Sequence, residues 1–360
     1  MAVAFYISGH GFGHASRQVE IINAFVRRHP GNGIFVRSRA AKWLLERTIE
    51  TPFDLNQQNT DTGVVQLDSL RLDARATMAT AARFYGDLAH RARDEARLLR
   101  DRGISFVVSD APPLACAAAR DAGIPSVVIS NFTWDWIYEA YKDEHPLGRE
   151  VIGTMRDAYR LAIAAWRLPL HGDFLPFETV LDVPFVARHS RREPALTRAH
   201  LGLPLDKRLV LPSFGGYGVK SLDLHGVQLP ASWEIVRGLD QAEIYDAGLS
   251  YQDLVRAVDV VITKPGYGIV SECIANGTAL VYTSRGRFPE YDVFVREMPR
   301  YLRCAYLSNE DLLDGRWGPV LERVIDAPAP PERPRTDGAE VLADMIAACL
   351  PGASSSRPPA

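Results

Sequence analysis

The sequence lacks several features that mark other classes of protein. Its four cysteines are isolated, with no C-x-x-C pair and no Cys/His spacing typical of a zinc site, which indicates a reducing compartment and no bound metal. No apolar run approaches the roughly twenty residues needed to span a bilayer. The first eight residues lack the basic and apolar regions of a signal peptide. We therefore expect a soluble, cytoplasmic protein without a transmembrane segment.

The sequence also has no surplus of positive charge. Its formal net charge of −3 argues against a general nucleic-acid binder, because such a protein must neutralise phosphates. The arginines of the 188–192 segment are expected to lie in a solvated loop. The length of 360 residues favours two domains, each of about 150–180 residues.

Two common nucleotide-binding motifs are absent. The first predicted strand leads into Gly9-His-Gly-Phe-Gly-His14, whose spacing is G-x-G-x-G rather than the G-x-G-x-x-G of a dinucleotide site. The second strand ends in Arg37-Ser-Arg39 instead of an acidic residue, which leaves NADP conceivable. No phosphate-loop motif and no convincing D-x-D motif occur. We expect no bound cofactor and no metal ion.

Strands and helices alternate along most of the chain. The first half predicts strands at 3–8, 33–37, 104–109 and 126–130 and helices at 15–28, 40–48, 70–102 (mostly) and 114–122. The second half predicts strands at 208–213, 233–238, 260–262 and 279–283. It predicts helices at 196–201, 250–257, 312–324 (with a Gly/Pro-related interruption) and 338–349. This order is typical of an α/β protein with two doubly wound, Rossmann-like parallel-sheet domains facing each other across a cleft. We place the domains at 1–187 and 188–330, followed by a C-terminal helix at 331–350 and a disordered tail at 351–360.

A histidine stands on each side of the first glycine turn. His14 is predicted at the mouth of the following helix, where an imidazole can act as a general base near neutral pH. Such a base needs a carboxylate on its other ring nitrogen. Asp110 is the candidate, since it ends a later parallel strand at the same edge of the sheet.

The stretch Asp259–Glu272 predicts an anion site in the second half. A buried strand leads into Gly266 and Gly268, where positive φ angles would let a ligand approach the backbone, and a helix is expected to begin near Ile269. Free N–H groups at a helix start favour a phosphate or diphosphate. Glu272, expected in the first helical turn, either complements the helix dipole or accepts hydrogen bonds from a ribose.

These motifs resemble those of the GT-B fold glycosyltransferases, including the plant small-molecule UDP-glycosyltransferases and the family 28 UDP-GlcNAc transferase of peptidoglycan synthesis. From residue 3 to about 325 the chain is similar to the glycosyltransferase-like N-terminal half of the plant L-arabinokinases. The likeness rests on the His14 loop, Val107-Val-Ser-Asp110, Asn131-Phe-Thr-Trp-Asp135, Phe214-Gly-Gly216 and Gly266-Tyr-Gly268. Those kinases carry a sugar-kinase domain after this region, and the resemblance does not imply kinase activity here.

The resemblance implies an inverting, metal-independent transfer of a sugar from a nucleotide diphosphate, UDP foremost, to a small-molecule acceptor. It implies that His14 is the general base and that Asp110 supports it. The donor-binding residues are predicted to be Gly215, Gly216, Lys264, Gly266, Tyr267, Gly268, Ser271, Glu272 and Glu290. The acceptor-binding residues are predicted to be His10, Gly11, Phe12, Gly13, Phe132 and Trp134. For Glu290, an exposed acidic loop is the alternative interpretation.

Other functions remain open at this point. A nucleotide-sugar 2-epimerase has the same two-domain architecture and would act on its nucleotide sugar without an acceptor. A non-catalytic module would bind the nucleotide sugar without turning it over. An NADP oxidoreductase is a more distant alternative. The donor sugar, the acceptor and the oligomeric state are not defined by the sequence.

Overall fold

The computed structural model describes residues 1–351 except 217 and 240. The chain divides into two compact units, one made of Met1–Val65, Asp73–Val186 and the chain from Arg335 onward, the other of Gln66–Leu72 and Ala187–Pro334. The tail predicted to be disordered lies, from residue 352, outside the described residues. No helix within the described part is long and apolar enough to cross a membrane.

The elements alternate as in a doubly wound protein. In chain order they are β1 (Ala2–Ile7), α1 (Phe12–Arg28), β2 (Gly33–Ser38), α2 (Lys42–Thr48), β3 (Asp54–Asn56), β4 (Val65–Gln66), β5 (Leu72–Asp73), α3 (Ala74–Tyr85), α4 (Leu88–Asp101), β6 (Ile104–Asp110), α5 (Pro113–Ala122), β7 (Ser126–Ser130), α6 (Trp134–Glu139), α7 (Gly148–Tyr159), β8 (Ala164–Arg167), β9 (Val180–Asp182), α8 (Pro194–His200), β10 (Arg208–Pro212), β11 (Trp233–Ile235), α9 (Gln241–Asp246), α10 (Tyr251–Ala257), β12 (Val260–Thr263), α11 (Tyr267–Asn276), β13 (Ala279–Tyr282), α12 (Pro289–Glu297), β14 (Cys304–Tyr306), α13 (Asn309–Leu313), α14 (Gly318–Asp326) and α15 (Gly338–Ala348). Short 3-10 turns occupy Lys142–Glu144 and Met298–Arg300.

The first unit is built on a seven-stranded sheet in the order β3-β2-β1-β6-β7-β8-β9, and its neighbouring strands are parallel. Buried Val, Ile and Phe side chains form continuous runs in β1, β6 and β7, as expected for strands covered on both faces. The strand order reverses between β1 and β6, where Ile7 lies opposite Asp110. Ligands of such sheets bind beyond the carboxyl ends of the strands at this point.

The second unit has a five-stranded parallel sheet in the order β11-β10-β12-β13-β14. Its strand order reverses between β10 and β12, and Pro212 lies opposite Ile262 there. The loops that follow these two strands therefore leave the sheet at one edge, which places the two glycine-rich segments of the sequence side by side.

Several elements differ from the sequence predictions. Six short strands, β3, β4, β5, β8, β9 and β14, were not among the strands given in the sequence analysis. The helix predicted for residues 70–102 is broken between α3 and α4, where Gly86 and Asp87 interrupt it. Helix α15 packs against α1 within the first unit, with Arg28 pairing with Asp344.

Candidate functional site

The turn between β1 and α1 places His14 at the reversal point of the first sheet. Gly11 has a left-handed backbone with φ of 82°, which glycine adopts at little cost. Helix α1 begins at Phe12, three residues earlier than predicted. Gly13 and His14 therefore belong to the first turn of the helix, and His14 is almost fully buried.

Asp110, the last residue of β6, faces His14. Its Oδ2 lies 2.8 Å from Nδ1 of His14. The structure thus brings together the two residues predicted as base and supporting carboxylate, while their catalytic roles stay predictions. Nε2 of His14 has no hydrogen-bond partner among the described residues, so this nitrogen is the one available to a substrate.

Arg17 completes this site, and the sequence analysis assigned it no role. One turn after His14 on α1, its Nε donates to Asp110 Oδ1 at 2.8 Å, its Nη1 to Asn131 Oδ1 at 2.7 Å and its Nη2 to Ser130 Oγ at 3.0 Å. Arg17 is buried, although arginine is usually exposed. Its spacing of three residues from His14, which puts both on one helix face, was the only signal in the sequence.

The charges around Asp110 fix the position of the proton on His14. Burial acts to raise the pKa of Asp110, but the charges of Arg17 and His14 outweigh it and hold that pKa below its usual value. An ionised carboxylate only accepts hydrogen bonds, so the contact with Nδ1 requires the proton on that nitrogen. Arg17 Nη2, 3.0 Å from the same nitrogen, then donates to Asp110 and Ser130 instead. A neutral His14 accordingly presents an unprotonated Nε2, as a general base must.

Two of the predicted acceptor residues pack tightly around the histidines. The Phe132 ring meets His14 edge-on at 5.5 Å, and the Trp134 ring stacks near His14 at 6.4 Å and meets His10 edge-on at 5.8 Å. Trp134 is completely buried and Phe132 nearly so. Both rings therefore support the histidines, and their direct contact with an acceptor stays a prediction.

The remaining predicted acceptor residues are more open. Gly13 is exposed, and His10, Gly11 and Phe12 are half-buried. Phe12 packs against Trp43 with 5.9 Å between ring centroids. These four residues reach solvent more than His14 does, and their contact with an acceptor stays a prediction.

In the second unit, two glycine-rich loops follow β10 and β12. Gly215 has φ of 68° and, like Gly216, is exposed. A Cβ atom added at Gly215 or Gly266 would meet nothing within 4 Å, so a ligand can approach the backbone closely at both. The predicted positive φ at Gly266 and Gly268 is wrong, because Gly266 is extended with φ of −159° and Gly268 is helical. Residue 217 of the first loop lies outside the described residues.

Helix α11 starts at Tyr267, two residues earlier than expected. Its first-turn N–H groups point toward the edge where β12 ends, a suitable place for an anion. The Ser271 hydroxyl donates to the Gly268 carbonyl at 3.0 Å. Glu272 lies in the second turn rather than the first, so complementing the helix dipole does not explain its presence.

Glu272 pairs with Arg188, whose Nε donates to Oε1 at 2.7 Å. Arg188 also donates to the Tyr245 hydroxyl at 3.0 Å. Both charged side chains are buried, so the predicted solvated loop is wrong for Arg188. Burial raises the pKa of Glu272 even though Arg188 opposes this. Oε2 has no hydrogen-bond partner among the described residues and can receive a ribose hydroxyl.

Three charged side chains follow β12 and β13. Arg285 donates to Glu290 at 3.0 Å and lies over the Phe288 ring at 3.6 Å. Glu290 is buried in the first turn of α12, so the alternative of an exposed acidic loop is wrong. Lys264 makes no hydrogen bond or ion pair through its ammonium with any described residue. Burial, with a smaller effect of Arg285, lowers the pKa of Lys264 to about 7.

Lys264 thus lies just before the N-terminus of α11 and forms no ion pair within the described residues, although the charge of Glu290 acts on it. Removing an ammonium group from water is unfavourable unless an anion compensates it. The combination is suited to a phosphate or diphosphate. Within the described residues, no group of three or more His, Cys, Asp or Glu side chains is arranged to hold a metal ion.

Comparison with known proteins agrees with this architecture. No family model matches the chain. It is 31% identical over 363 residues to L-arabinokinase of Arabidopsis thaliana, an alignment that covers 96% of this chain and 34% of that protein. The chain therefore spans about a third of the length of that kinase. It is also 28% identical over 290 residues to an uncharacterised glycosyltransferase of Methanopyrus kandleri, covering 74% of this chain and 81% of that protein.

Solved glycosyltransferases have the same fold. The crystal structure of the glycosyltransferase of kitacinnamycin superimposes with a TM-score of 0.61 at 17% identity, covering 97% of this chain and 99% of that one. Phytolacca americana UGT2, solved with UDP-2-fluoroglucose and pterostilbene, gives a TM-score of 0.57 at 12% identity and covers 96% of this chain and 93% of that one. The resemblance inferred from the motifs is confirmed: the chain has the GT-B fold of glycosyltransferases.

Proposed function

We propose that this chain is an inverting, metal-independent glycosyltransferase that transfers a sugar from a nucleotide diphosphate donor, UDP-sugars first among them, to a hydroxyl of a small acceptor. The observation that carries this proposal is the pair of His14 and Asp110. Asp110 holds Nδ1 of His14 at 2.8 Å, and Nε2 is left without a partner among the described residues. That arrangement is the one a general base requires.

The proposed reaction begins with the acceptor hydroxyl. Its proton passes to Nε2 of His14 while its oxygen attacks the anomeric carbon from the side opposite the diphosphate. The bond between that carbon and the diphosphate oxygen breaks, and the nucleotide leaves with the electron pair. Asp110 stabilises the imidazolium that forms, because its carboxylate is kept ionised by Arg17. Attack from the opposite side inverts the anomeric configuration.

The second unit supplies what the donor needs. Lys264 and the first N–H groups of α11 can neutralise the diphosphate as its charge grows in the transition state. The exposed Gly215–Gly216 turn offers further backbone N–H groups. Oε2 of Glu272 can accept a ribose hydroxyl. A neighbour of the same fold was solved with UDP-2-fluoroglucose, and another with UDP, which supports a uridine nucleotide as the first donor to test.

A panel of nucleotide sugars tests the proposal. A ligand bound only by the folded protein raises its melting temperature, so thermal shifts identify donors that bind. Each binding donor is then incubated with a panel of hydroxylated acceptors, and products are separated by mass. We expect at least one UDP-sugar to stabilise the protein and to be consumed with an acceptor. Conversion of UDP-GlcNAc without an acceptor would indicate a 2-epimerase, and binding without turnover would indicate a non-catalytic module.

A further inference from the structure

A second buried carboxylate lies in the first unit beside the proposed base. Asp61 is 7% exposed, and it accepts a hydrogen bond of 2.7 Å from Nε1 of Trp134. The side chain of Ser8 opposes the rise in the pKa of Asp61 that burial causes. The Trp134 ring that holds Asp61 by its edge stacks near His14 with its face. The indole ring of Trp134 therefore lies between Asp61 and His14 and contacts both.

The segment that carries Asp61 is fixed in place on both sides. Thr60 donates to the Ile7 carbonyl at 3.3 Å, and the Thr62 and Tyr138 hydroxyls are 2.9 Å apart. Gly63 lies so close to His10 that an added Cβ would come within 2.7 Å of Nδ1 of that ring. These contacts make the segment that carries Asp61 a wall of the histidine site.

The charges around Asp61 differ sharply from those around Asp110. Asp110 is paired with Arg17, whereas no ion pair joins Asp61 to any described lysine or arginine. The charged groups that face it are His14 of α1 and Asp110 of β6, and Ser8 and Trp134 are neutral. Burial raises the pKa of Asp61 to about 6. A buried carboxylate without a cation is unfavourable for the fold alone, which is typical of a group kept for a ligand.

We propose that Asp61 accepts a hydrogen bond from a second hydroxyl of the acceptor, next to the one that His14 deprotonates, so that the site selects molecules with neighbouring hydroxyl groups. A carboxylate has about four acceptor positions, and Trp134 uses one of them. The acceptor class is then a vicinal diol, as in a sugar, a cyclitol or a catechol. This inference rests on the proposed function and specifies its acceptor.

Catechol and phenol form a matched pair of probes, because they differ by one hydroxyl. Their dissociation constants are measured by ligand-observed NMR at pH 8 for the wild type, Asp61→Asn and Asp135→Asn. Asp135 is the control, since it is also buried and neighbours Trp134 but is paired with Arg156 at 2.9 Å. We expect the wild type and Asp135→Asn to bind catechol at least about tenfold more tightly than phenol, and Asp61→Asn to bind both alike, because hydrogen bonds to charged groups are strong. An unchanged catechol preference in Asp61→Asn, or none in the wild type, would overturn the proposal.

Melting temperatures of the same variants separate ligand recognition from a structural role. An acid whose pKa is raised in the folded state favours folding below its unfolded value near 4 and loses that contribution as pH rises through about 6. Asp61→Asn should therefore raise the melting temperature at pH 8 and change it little at pH 5, while Asp135→Asn should lower it at pH 8. A lower melting temperature for Asp61→Asn at pH 8 would show that the carboxylate only supports the fold. UDP binding, measured in parallel, tests the proposed function separately, since its contacts lie in the second unit.

Discussion

At the scale of single residues, the two candidate sites treat their charges in the same way. The carboxylates Asp110 and Glu272 each have a buried arginine partner, Arg17 and Arg188. Lys264 and Asp61 have no ion-pair partner among the described residues. Paired charges are held in a fixed position, whereas an unpaired buried charge is costly until a ligand compensates it. We therefore propose that Lys264 and Asp61 contact ligands and that the two arginine–carboxylate pairs hold their side chains in fixed orientations.

The role of Glu272 can be tested by removing its charge while keeping its shape. Glu272→Gln should weaken UDP binding by about 1–3 kcal/mol, because a hydrogen bond between the ribose and a carboxylate is lost. Isothermal titration calorimetry measures the difference. Glu297→Gln, which alters a glutamate bonded to the exposed Arg296 and Arg300, is the control and should bind UDP as the wild type does. Equal affinity in the Glu272 variant would remove the ribose assignment.

The lowered pKa of Lys264 leads us to expect that donor binding depends on pH. Its pKa of about 7 is depressed from 10.5, so the unfolded chain holds this proton more tightly between those values, and stability rises with pH across that range. A bound diphosphate favours the protonated amine, so binding takes up a proton above pH 7. UDP-glucose should bind about tenfold more weakly at pH 8.5 than at pH 6.5. In Lys264→Met, calorimetry should find weaker binding that no longer changes with pH, and a retained pH dependence would exclude Lys264 as its source.

At the scale of elements, the strand order determines where both sites lie. Each sheet reverses its order at one point, and each predicted site lies beyond the strand ends there. This much follows from the sequence, because glycine turns after buried strands are local patterns. Arg17, Arg188 and Asp61 could not be recognised in that way. Their roles depend on partners 84 or more residues away for the arginines and 73 for Asp61, and an arginine on a helix or in a loop ordinarily lies in solvent.

The first residues of helices α1 and α11 could not be predicted from the sequence either. Both α1 and α11 start two or three residues earlier than predicted, because glycine is a poor helix former and the prediction treated Gly13 and Gly268 as turn residues. In each case the flanking glycine, Gly11 or Gly266, ends the turn, and the next residues already have helical geometry. As a result, His14 lies in the first turn of α1, and Glu272 lies in the second turn of α11.

The backbone conformation of Gly11, in the turn before α1, predicts how an alanine substitution changes stability, and Gly153 provides the control. Gly11→Ala should destabilise the protein by about 1–2 kcal/mol, because alanine is strained at a φ of 82° even though nothing lies within 4 Å of the added carbon. Gly153 also has open space around it, but it lies inside α7 with an ordinary helical φ. Gly153→Ala should stabilise by about 0.5–1 kcal/mol. Urea unfolding followed by circular dichroism measures both, and equal signs would contradict the backbone explanation.

At the scale of the whole molecule, the chain has the GT-B fold, whereas a reaction has to be argued from particular residues. Many activities share one architecture, so the GT-B fold by itself does not define a reaction. The chain corresponds to about a third of L-arabinokinase, and the kinase activity in that name is not transferred here. What the residues of the first unit can provide is a base, and what those of the second can provide is a diphosphate site.

The stereochemistry of the product tests the proposed inverting transfer most directly. Proton NMR follows the transfer of a sugar from an α-linked UDP-sugar to a diol acceptor, with the wild type, His14→Ala and the exposed-histidine control His90→Ala. We expect a β-linked product from the wild type and from His90→Ala. In His14→Ala, turnover should fall by on the order of a hundredfold or more, since general base catalysis is lost. An α-linked product, or unchanged turnover in folded His14→Ala, would contradict the proposed mechanism.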